Sequence, residues 1–268
     1  MKVYNTGETS VELKEKYNPE GSVLRRAQLR MLDMLLYIDK ICKDNDLEYT
    51  LAYGNLLGAV RHGGFIPWDD DVDIFMDRDN YNKLCNILTA SPHSQYVLQN
   101  NDTDPGFFGV WSVLRDTKSE YIVDTTLHKI RKYRGLQIDI FPLEENCPVW
   151  VHKLAVYAEV IKNKYLLKHK KIAQFYYNIE TKIVFPTIRL GCRLVCRTNY
   201  YMPPLGTGWH NKLSLSFMRP IGKVMFEGHE FPAPAKIHDF LECIYKNYMD
   251  LPAIDQRDHH KAEYRIWE

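Results

Sequence analysis

The sequence predicts an α+β fold, with short strands and helices in the first 148 residues and a mostly helical part after them. Apolar residues recur at spacings of three and four from Leu24 to Cys42, which indicates a long amphipathic helix. Alternating apolar residues at 71–76 and 135–143 indicate buried strands, and residues 149–198 have a helical pattern. We therefore divide the chain into an N-terminal arm (1–21), a core (22–148) and a mostly helical C-terminal part (149–268).

Composition restricts the class of protein without identifying it. With 268 residues, the chain is long enough for one large domain or two modest ones. A hydrophobic content of 45% is typical of globular proteins, and a net charge of +1 gives no argument for nucleic-acid binding. The six cysteines form no CxxC pair and no cluster with histidine, which argues against structural zinc. No segment resembles a signal peptide or a membrane span, so we expect a cytoplasmic protein.

The predicted elements follow in order along the chain. The first 20 residues are expected to form an extended arm, and Ser22 is a suitable N-cap for the long helix. Residues 47–53 are expected to form a strand that leads into a turn at Gly54, after which Asn55 caps a short helix over residues 56–61. The later elements are a helix at 78–91, strands at 96–99, 109–115 and 121–124, a helical turn at 213–218, a hairpin at 223–232 and a helix at 235–247.

An acidic cluster directly precedes the strand at 71–76. Asp69, Asp70, Asp71 and Asp73 place four carboxylates within five residues, although like charges about 4 Å apart repel by about 4 kcal/mol at an effective dielectric of 20. Alternation puts Asp71 and Asp73 on one face of the strand, about 6.6–6.8 Å apart. Mg²⁺ is typically held by one or two carboxylates together with substrate phosphates. A solvated turn is the usual alternative, but the apolar strand and the preceding glycine turn favour a metal site.

A fifth carboxylate lies inside the strand at 135–143. Leu136, Ile138 and Ile140 alternate with Asp139, so Asp139 points away from the apolar face. A lone aspartate in a buried strand is costly unless it is paired or bound to metal. Asp139 is therefore a candidate third acid of the same site.

The helical segment at 149–198 is strongly basic. It contains ten lysines and arginines against Glu159 and Glu180, a local charge of +8. A solvated helix surface is the default explanation. The alternative is a surface that meets an anionic membrane leaflet or an anionic glycan.

The run LAYGNLLGAVRHGGFIPWDDDVDIFM at residues 51–76 resembles the LicD phosphorylcholine transferase family, which is similar to fukutin-type proteins. The family motif is a glycine turn, LLGAVR and GFIPWDDDIDI, and the segments at 114–116, 139–143, 226–228 and 248–252 also fit. The resemblance covers residues 25–260. One departure is Asn55, where the family commonly has a second glycine, and the basic segment matches least well.

The resemblance implies a nucleotidyltransferase-type fold, a small mixed sheet flanked by helices, with residues 22–148 as its catalytic core. It implies transfer of phosphocholine from CDP-choline to a sugar hydroxyl of a glycan precursor of teichoic acid or lipopolysaccharide type, releasing CMP. Asp71, Asp73 and Asp139 match the family's acids and would hold one or two Mg²⁺ ions, with Mn²⁺ also possible. Asp139 would complete the metal site or accept the proton of the attacking hydroxyl, with Asp69 as the second candidate base. Asp70 is expected to play a capping or supporting role.

Phosphate and choline need different partners. The backbone amides of Gly54, Asn55 and Leu56, with Arg61 and Arg115, are expected to bind phosphate oxygens. A surface ion pair is the alternative for either arginine.

Choline is a quaternary ammonium, which is recognised by aromatic faces and carboxylates. The candidates in or near the predicted site are Trp68, Trp111, Tyr121, Glu227 and His259, and core packing is the alternative for each.

Different activities and partners stay open at this point. The protein could transfer another phospho-alcohol, such as phosphoethanolamine or an alditol phosphate, from its CDP donor. It could instead attach a nucleotide to its target, or be a catalytically silent glycan-binding scaffold that kept the fold. The expected partners are CDP-choline and a glycan or lipid-linked glycan acceptor, without nucleic acid. Peripheral contact with the inner membrane leaflet is a further possibility.

Overall fold

The computed structural model describes residues 3–123, 125–165, 169–257 and 263–267, and it has the predicted α+β architecture. The strands are β1 (Thr50–Leu51), β2 (Asp73–Asp77), β3 (Tyr96–Gln99), β4 (Ser112–Asp116), β5 (Ser119–Ile122), β6 (Gln137–Leu143), β7 (Tyr200–Tyr201), β8 (Leu213–Ser214), β9 (Gly222–Phe226), β10 (His229–Ala233) and β11 (Glu263–Ile266). The central sheet has five strands in the order β1-β2-β6-β4-β3. The remaining strands form pairs outside it.

Helices flank this mixed sheet. The α-helices are α1 (Ser10–Tyr17), α2 (Val23–Asp44), α3 (Tyr53–His62), α4 (Arg78–Ala90), α5 (Thr126–Ile130), α6 (Val149–Tyr165), α7 (Lys170–Ile179), α8 (Phe185–Val195), α9 (Leu215–Met218) and α10 (Ile237–Tyr245). A π-helical turn (Glu180–Val184) joins α7 to α8, and a 3₁₀ turn (Ile254–Gln256) lies near the C-terminus. In the described part of the chain, no helix is both long and apolar enough to cross a membrane.

The strands that carry the predicted acids are neighbours in the sheet. β2 runs parallel to β6, and their register pairs Asp73 with Asp139. On its other side, β6 runs antiparallel to β4, which places Val113 opposite Asp139. Because neighbouring strands lie about 4.8 Å apart, the register brings two carboxylates that are distant in sequence to adjoining positions.

The N-terminal region agrees with the sequence in α2 and differs from it in the arm. The hydroxyl of Ser22 accepts a hydrogen bond from the backbone N–H of Arg25, and the apolar stripe of α2 is buried, as predicted. The predicted extended arm instead contains α1. Thr9 and Glu12 form a capping box that satisfies the first N–H groups of this helix, a signal that the prediction overlooked.

The described part of the basic segment is helical, as predicted. The helix α7 runs through the π-helical turn into α8 without a break, and residues 166–168, between α6 and α7, lie outside the described residues. Pro186 lies in the first turn of α8. A proline is tolerated at this position because its missing N–H is one that the first turn of an α-helix does not need. The proline therefore follows a widened turn and does not interrupt the helix.

Two hydrophobic clusters organise this arrangement. The main core joins Met31 of α2 and Ile140 of β6 to Phe231 of β10 and Phe240 of α10. A smaller cluster packs α6 against α8 through buried residues that include Val151 and Cys192. The main core thus takes residues from both sides of position 148, and the domain boundary drawn there stays a prediction.

The C-terminal segment returns to the first half of the chain. The hairpin of β9 and β10 and the helix α10 are present as predicted. β11 was not predicted, and it pairs with β5 so that Tyr264 lies opposite Tyr121. Asp124, the last residue of the strand expected at 121–124, lies outside the described residues.

Candidate active site

Asp139 is held in a defined orientation at the centre of the sheet. The indole Nε1 of Trp111 donates a hydrogen bond to Asp139 Oδ1 at 2.6 Å. The side-chain amide of Gln137 donates to Asp139 Oδ2 at 2.9 Å. Because each oxygen has its own donor, rotation of the carboxylate would break a hydrogen bond, and Asp139 is fixed beside Asp73.

Asn55 has a different role from the predicted one. The helix begins three residues earlier, at Tyr53, with Ala52 as its N-cap and no side-chain cap hydrogen bond. The Asn55 side chain instead donates to the carbonyl of Asp71 at 3.2 Å and accepts from the N–H of Asp73 at 2.6 Å. It therefore fixes the start of the acidic strand, which explains how the chain tolerates asparagine in place of the family's glycine.

The expected amide cradle is only partly available. The N–H groups of Asn55 and Leu56 both donate to the carbonyl of Ala52 at 3.1 Å, so this prediction is wrong for those two amides. Gly54 has a steric role: a methyl group at this position would lie 2.6 Å from Asp69 Oδ2. The carboxylate of Asp69 thus occupies the space beside the first turn of α3, where the helix dipole favours negative charge.

The acidic cluster is compact and electrostatically strained. Asp69, Asp70 and Asp71 each place a carboxylate oxygen within 4.8 Å of the other two. Among the described residues, this is the group of three possible metal ligands that meets this distance. Burial, together with the charges of Asp71, Asp139 and Asp69, raises the pKa of Asp73 well above its usual range. The charges of Asp71 and Asp139 therefore act on Asp73, as expected for the predicted triad. The most closely spaced carboxylate oxygens, however, belong to Asp69, Asp70 and Asp71.

The donor set fits a hard divalent cation. All of its side-chain ligands are carboxylate oxygens, which suit Mg²⁺ or Mn²⁺, and thiol and imidazole donors are not part of the set. Burial raises the pKa of Asp73 most, and the neighbouring charges of Asp71, Asp139 and Asp69 raise it further. A bound cation would remove this repulsion, so the residues present fit the expected metal.

Asp70 and the C-terminal strand close one side of the cluster. Asp70 is buried, and the hydroxyl of Tyr264 on β11 donates to its Oδ2. Tyr121 lies against Tyr264, with ring centroids 5.7 Å apart. Burial first, and then the charges of Asp70 and Asp71, raise the pKa of Tyr121. Tyr121 therefore lies beside the acids, as the sequence suggested, and Asp70 is held by Tyr264 in a supporting position.

Both predicted phosphate-binding arginines are buried. The guanidinium of Arg61 donates to the carbonyls of Tyr248 and Asp250, and burial lowers its pKa to about 10. Arg115 donates to Gln99 and to the carbonyl of Gly135, while its Nη2 has no hydrogen-bond partner among the described residues. Both guanidinium groups are thus bound to the chain itself, and their assignment to phosphate stays a prediction.

Arg131 was not predicted as a site residue, but its guanidinium interacts electrostatically with Asp139. Burial lowers its pKa, while the charges of Asp139 and Asp104 raise it, so its guanidinium lies within electrostatic range of the acids. It also lines the cavity described below. Only the folded chain could reveal it, because its sequence context is an ordinary basic loop.

Two choline candidates are used elsewhere in the fold. Trp68 packs against Tyr17, with ring centroids 5.1 Å apart, and beneath the guanidinium of Arg257. Glu227 accepts from the N–H of Phe65 at 3.0 Å and pairs with Arg25 at 2.7 Å. These contacts hold the N-terminal helices and the β9–β10 hairpin, and the choline assignment of both residues stays a prediction. His259 lies outside the described residues.

An aromatic wall adjoins Asp139. Trp111, which was predicted, lies 5.4 Å from Phe141 and 6.1 Å from Trp209 between ring centroids, and Tyr53 lies 5.7 Å from Trp209. The hydroxyl of Tyr53 is buried and has no hydrogen-bond partner, and burial followed by the charge of Asp73 raises its pKa. Trp209 and Tyr53 were missed, although a tryptophan in a proline- and glycine-rich loop was a usable signal.

Two cavities meet at Trp111. One, of about 310 Å³, lies between this aromatic wall and α6 and is lined by Trp209, Arg131, Glu159 and Asn163. The other, of about 730 Å³, extends past α4 and is rich in amide and hydroxyl side chains. Trp111 therefore connects the oriented carboxylate of the site to two spaces that could hold substrate.

The comparisons with known proteins agree with this geometry. Residues 46–190, more than half of the chain, match the family described as LicD/FKTN/FKRP, nucleotidyltransferase domain. The lipopolysaccharide cholinephosphotransferase LicD of Haemophilus influenzae is 28% identical over 265 residues, which cover 90% of this chain and 97% of that protein. An uncharacterized protein of Rickettsia prowazekii is 25% identical over 66% of this chain and 71% of its own length. The human ribitol 5-phosphate transferase FKRP is 47% identical over 38 residues, 14% of this chain and 8% of that protein.

Proposed function

The chain belongs to the LicD/FKTN/FKRP family of nucleotidyltransferase domains, and on this premise we propose that it transfers phosphocholine from CDP-choline to a sugar hydroxyl of a cell-surface glycan precursor. It is a phosphotransferase. The Haemophilus influenzae relative, which matches along nearly its whole length, is a lipopolysaccharide cholinephosphotransferase. The CDP-choline donor, the metal and a glycan of teichoic acid or lipopolysaccharide type are our extension of that likeness.

The observation that carries the proposal is the acidic cluster with its strained charge. Asp73 and Asp139 adjoin in the sheet, and burial, followed by the charges of Asp71, Asp139 and Asp69, raises the pKa of Asp73. A chain selected for stability alone would not place these carboxylates together. The cluster favours binding of a cation. The negatively charged donor diphosphate would be repelled by the carboxylates, and a bound cation would offset this repulsion.

In this proposal Asp71 and Asp73 would hold one or two Mg²⁺ ions, with Mn²⁺ as an alternative, and Asp139 would either complete the metal site or act as the base. When bound, Mg²⁺ neutralises the charge that develops on the diphosphate oxygens during phosphoryl transfer. Asn55 supports the arrangement because it binds the carbonyl of Asp71 and the N–H of Asp73, the two backbone groups on either side of Val72. Asp69 adds negative charge beside the first turn of α3.

The reaction then requires one bond to form and one to break. The acceptor hydroxyl oxygen bonds to the phosphorus that carries choline, and the bond from that phosphorus to the bridging diphosphate oxygen breaks, which releases CMP. Asp139 accepts the hydroxyl proton in this scheme, because Trp111 and Gln137 fix its orientation beside Asp73. Asp69 is the second candidate for this role.

The aromatic wall supports recognition of a quaternary ammonium. Trp111 and Trp209 are partly exposed beside Asp139, and a ring face attracts a cation by about 0.5–2 kcal/mol. We therefore expect Trp209→Ala to raise KM for CDP-choline about ten-fold with a smaller change in kcat, since the ring binds the alcohol and does not contact the reacting atoms. Steady-state kinetics with CDP-choline and with CDP-ribitol, whose alcohol carries no positive charge, would measure this, and an equal effect on both donors would contradict the cation–π assignment.

The larger cavity supports a glycan acceptor. Its walls combine aromatic rings with many amides and hydroxyls, including Asn82, Asn101, Thr103 and Tyr81. Such groups suit the alternating polar and apolar faces of sugars. We place the reaction in the cytoplasm, at the inner face of the membrane, where a lipid-linked glycan precursor would be within reach.

A different phospho-alcohol is the second candidate. The 38-residue match to a ribitol 5-phosphate transferase favours an alditol phosphate over phosphoethanolamine or a nucleotide as the transferred group. The acids would have the same roles with either donor, and only the pocket for the alcohol would differ. Donor competition therefore distinguishes choline from an alditol.

The test is CMP release from CDP-choline in the presence of Mg²⁺, with and without a glycan acceptor, followed by chromatography. We expect acceptor-dependent release that EDTA abolishes and added Mg²⁺ restores. CDP-ribitol and CDP-ethanolamine serve as matched donors. Preferred use of CDP-ribitol would replace choline with an alditol, and failure of every CDP-alcohol to give acceptor-stimulated CMP would refute the transferase proposal.

A further inference from the structure

The helices α6, α7 and α8 present large apolar side chains to the outside of the molecule. Among the described residues, 12 of the 23 exposed large hydrophobic side chains lie between positions 150 and 195. Patches of this kind on a folded protein usually mark an interaction site. The smaller hydrophobic cluster already buries the inner faces of α6 and α8, so these outer residues are not part of the core.

The outer face of α6 has an interfacial pattern. Trp150, Leu154 and Tyr157 recur at spacings of four and three, which places them on one side of the helix, and each is between 63% and 68% exposed. Lys153 is exposed between them. Tryptophan and tyrosine beside lysine are characteristic of segments that lie at a membrane surface.

α7 and α8 repeat this pattern. Ile172 and Phe175 are exposed three residues apart on α7, and Leu190 and Leu194 are exposed four residues apart on α8. Arg193 is exposed beside Leu194. Each of the three helices therefore exposes an apolar stripe, and cations border the stripes of α6 and α8.

The charge of this surface is of one sign. The two acids of the basic segment, Glu159 and Glu180, are both buried. Its described exposed cations include Lys153, Arg193 and Arg197, while Lys182 is paired with the exposed Asp102 at 3.2 Å. In the described part of the segment, the acids are thus buried while these lysines and arginines lie at the surface.

We propose that this outer face of α6, α7 and α8 docks on an anionic lipid leaflet. Lysine and arginine bind acidic headgroups while the aromatic and aliphatic side chains enter the interface. A second copy of the chain is a poorer occupant, because a symmetric contact would bring the same cations together without acids to pair them. The proposal does not depend on which group the enzyme transfers.

The helix α6 lies between the proposed docking surface and the smaller cavity. Glu159 and Asn163 of α6 line the cavity that Trp111 and Trp209 close on the other side. A helix that lies on the leaflet would therefore border the space beside the acids. If the proposed function holds, a lipid-linked acceptor reaches the site along this helix.

Co-sedimentation of the full chain with phosphatidylcholine vesicles, with and without phosphatidylglycerol, tests the docking. We expect binding to the anionic vesicles at about 0.1 M salt and much weaker binding at about 1 M salt, where charges are screened within about 3 Å. Leu154→Glu with Leu194→Glu should weaken binding about 100-fold, since each change removes an inserting side chain and adds an anion. Arg193→Gln with Arg197→Gln should weaken it about 25-fold, roughly five-fold for each cation.

The matched control is Ile254→Glu, because Ile254 is as exposed as Leu154, at 63%, but lies outside the three helices. It should bind as the wild type does, and thermal melting should show that all variants are folded. Absence of binding to anionic vesicles at low salt would refute the proposal, as would equal binding by the Leu154/Leu194 variant and the control. Light scattering that shows a dimer abolished by the Leu154/Leu194 change, without vesicle binding, would reassign the face to self-association. These readouts involve no donor, so their failure is separate from failure of the transferase proposal.

Discussion

Asp73→Asn is expected to abolish turnover and to make the metal-free protein more stable. In our proposal Asp73 holds a metal ion that would stabilise developing negative charge by several kcal/mol, so loss of this ligand should lower kcat about 10³-fold. The amide has nearly the same shape but removes one charge from the repelling set of Asp69, Asp71 and Asp139. We expect the free energy of unfolding to rise by about 1 kcal/mol at neutral pH.

The gain in stability expected from Asp73→Asn depends on pH. The pKa of Asp73 is raised in the folded chain, so this group favours folding below its unfolded pKa, and that contribution is lost as pH rises through the folded pKa. The advantage of Asp73→Asn in metal-free buffer should therefore be larger at pH 8 than at pH 4. Thermal melting in EDTA at both values measures it.

Asp79→Asn is the matched control, because Asp79 is exposed on α4 six residues further along the chain. It should change neither turnover nor the pH profile appreciably. Wild-type activity in the Asp73 variant would show that the site is misplaced. Loss of stability at pH 8 would contradict the charge repulsion inferred for the cluster.

Gly54→Ala is expected to reduce activity about 100-fold while leaving the fold intact. The added methyl group would lie 2.6 Å from Asp69 Oδ2, so the carboxylate must rotate away. A displacement of about 1 Å in a reacting arrangement can cost about 100-fold in rate. The obstructing atom is the end of a side chain, and alanine favours helix by about 1 kcal/mol over glycine, so the melting temperature should not fall.

Gly191→Ala provides the comparison, because a methyl group there meets no atom within 4 Å. It should keep full activity with a water-soluble acceptor. Equal activity of the two variants would show that the position of Asp69 does not matter to the reaction. A Gly54 variant that unfolds would instead give this glycine a purely structural role.

Several features of the site could be predicted from the sequence because they depend on local pattern. The alternation at 71–76 identified the acidic strand, and Asp139 was found because a lone carboxylate interrupts an apolar strand. Their adjacency in the sheet matches this prediction. Trp111 and Tyr121 were chosen for position near these strands, and both rings lie beside acids of the cluster.

Four predicted ligand-binding side chains have partners within the fold. Arg61, Arg115, Trp68 and Glu227 have the right chemistry for phosphate or choline, but each is occupied by contacts with distant segments. A sequence gives the chemistry of a side chain and cannot say whether that side chain is already satisfied. The same limit concealed Trp209, which joins the site only when its loop folds back onto Phe141 at 5.1 Å.

The sequence by itself determined the fold class, the acidic strand, the third acid and the basic charge of the C-terminal helices, because periodicity and charge are properties of neighbouring residues. Only the tertiary structure decided which donors orient Asp139, why Gly54 has no side chain, and how Asn55 fixes the acidic strand. It also decided that Glu159 and Glu180 are buried while the cations around them lie outside. These are contacts between segments far apart in the chain, and their energies depend on burial and distance, which exist only once the chain has folded.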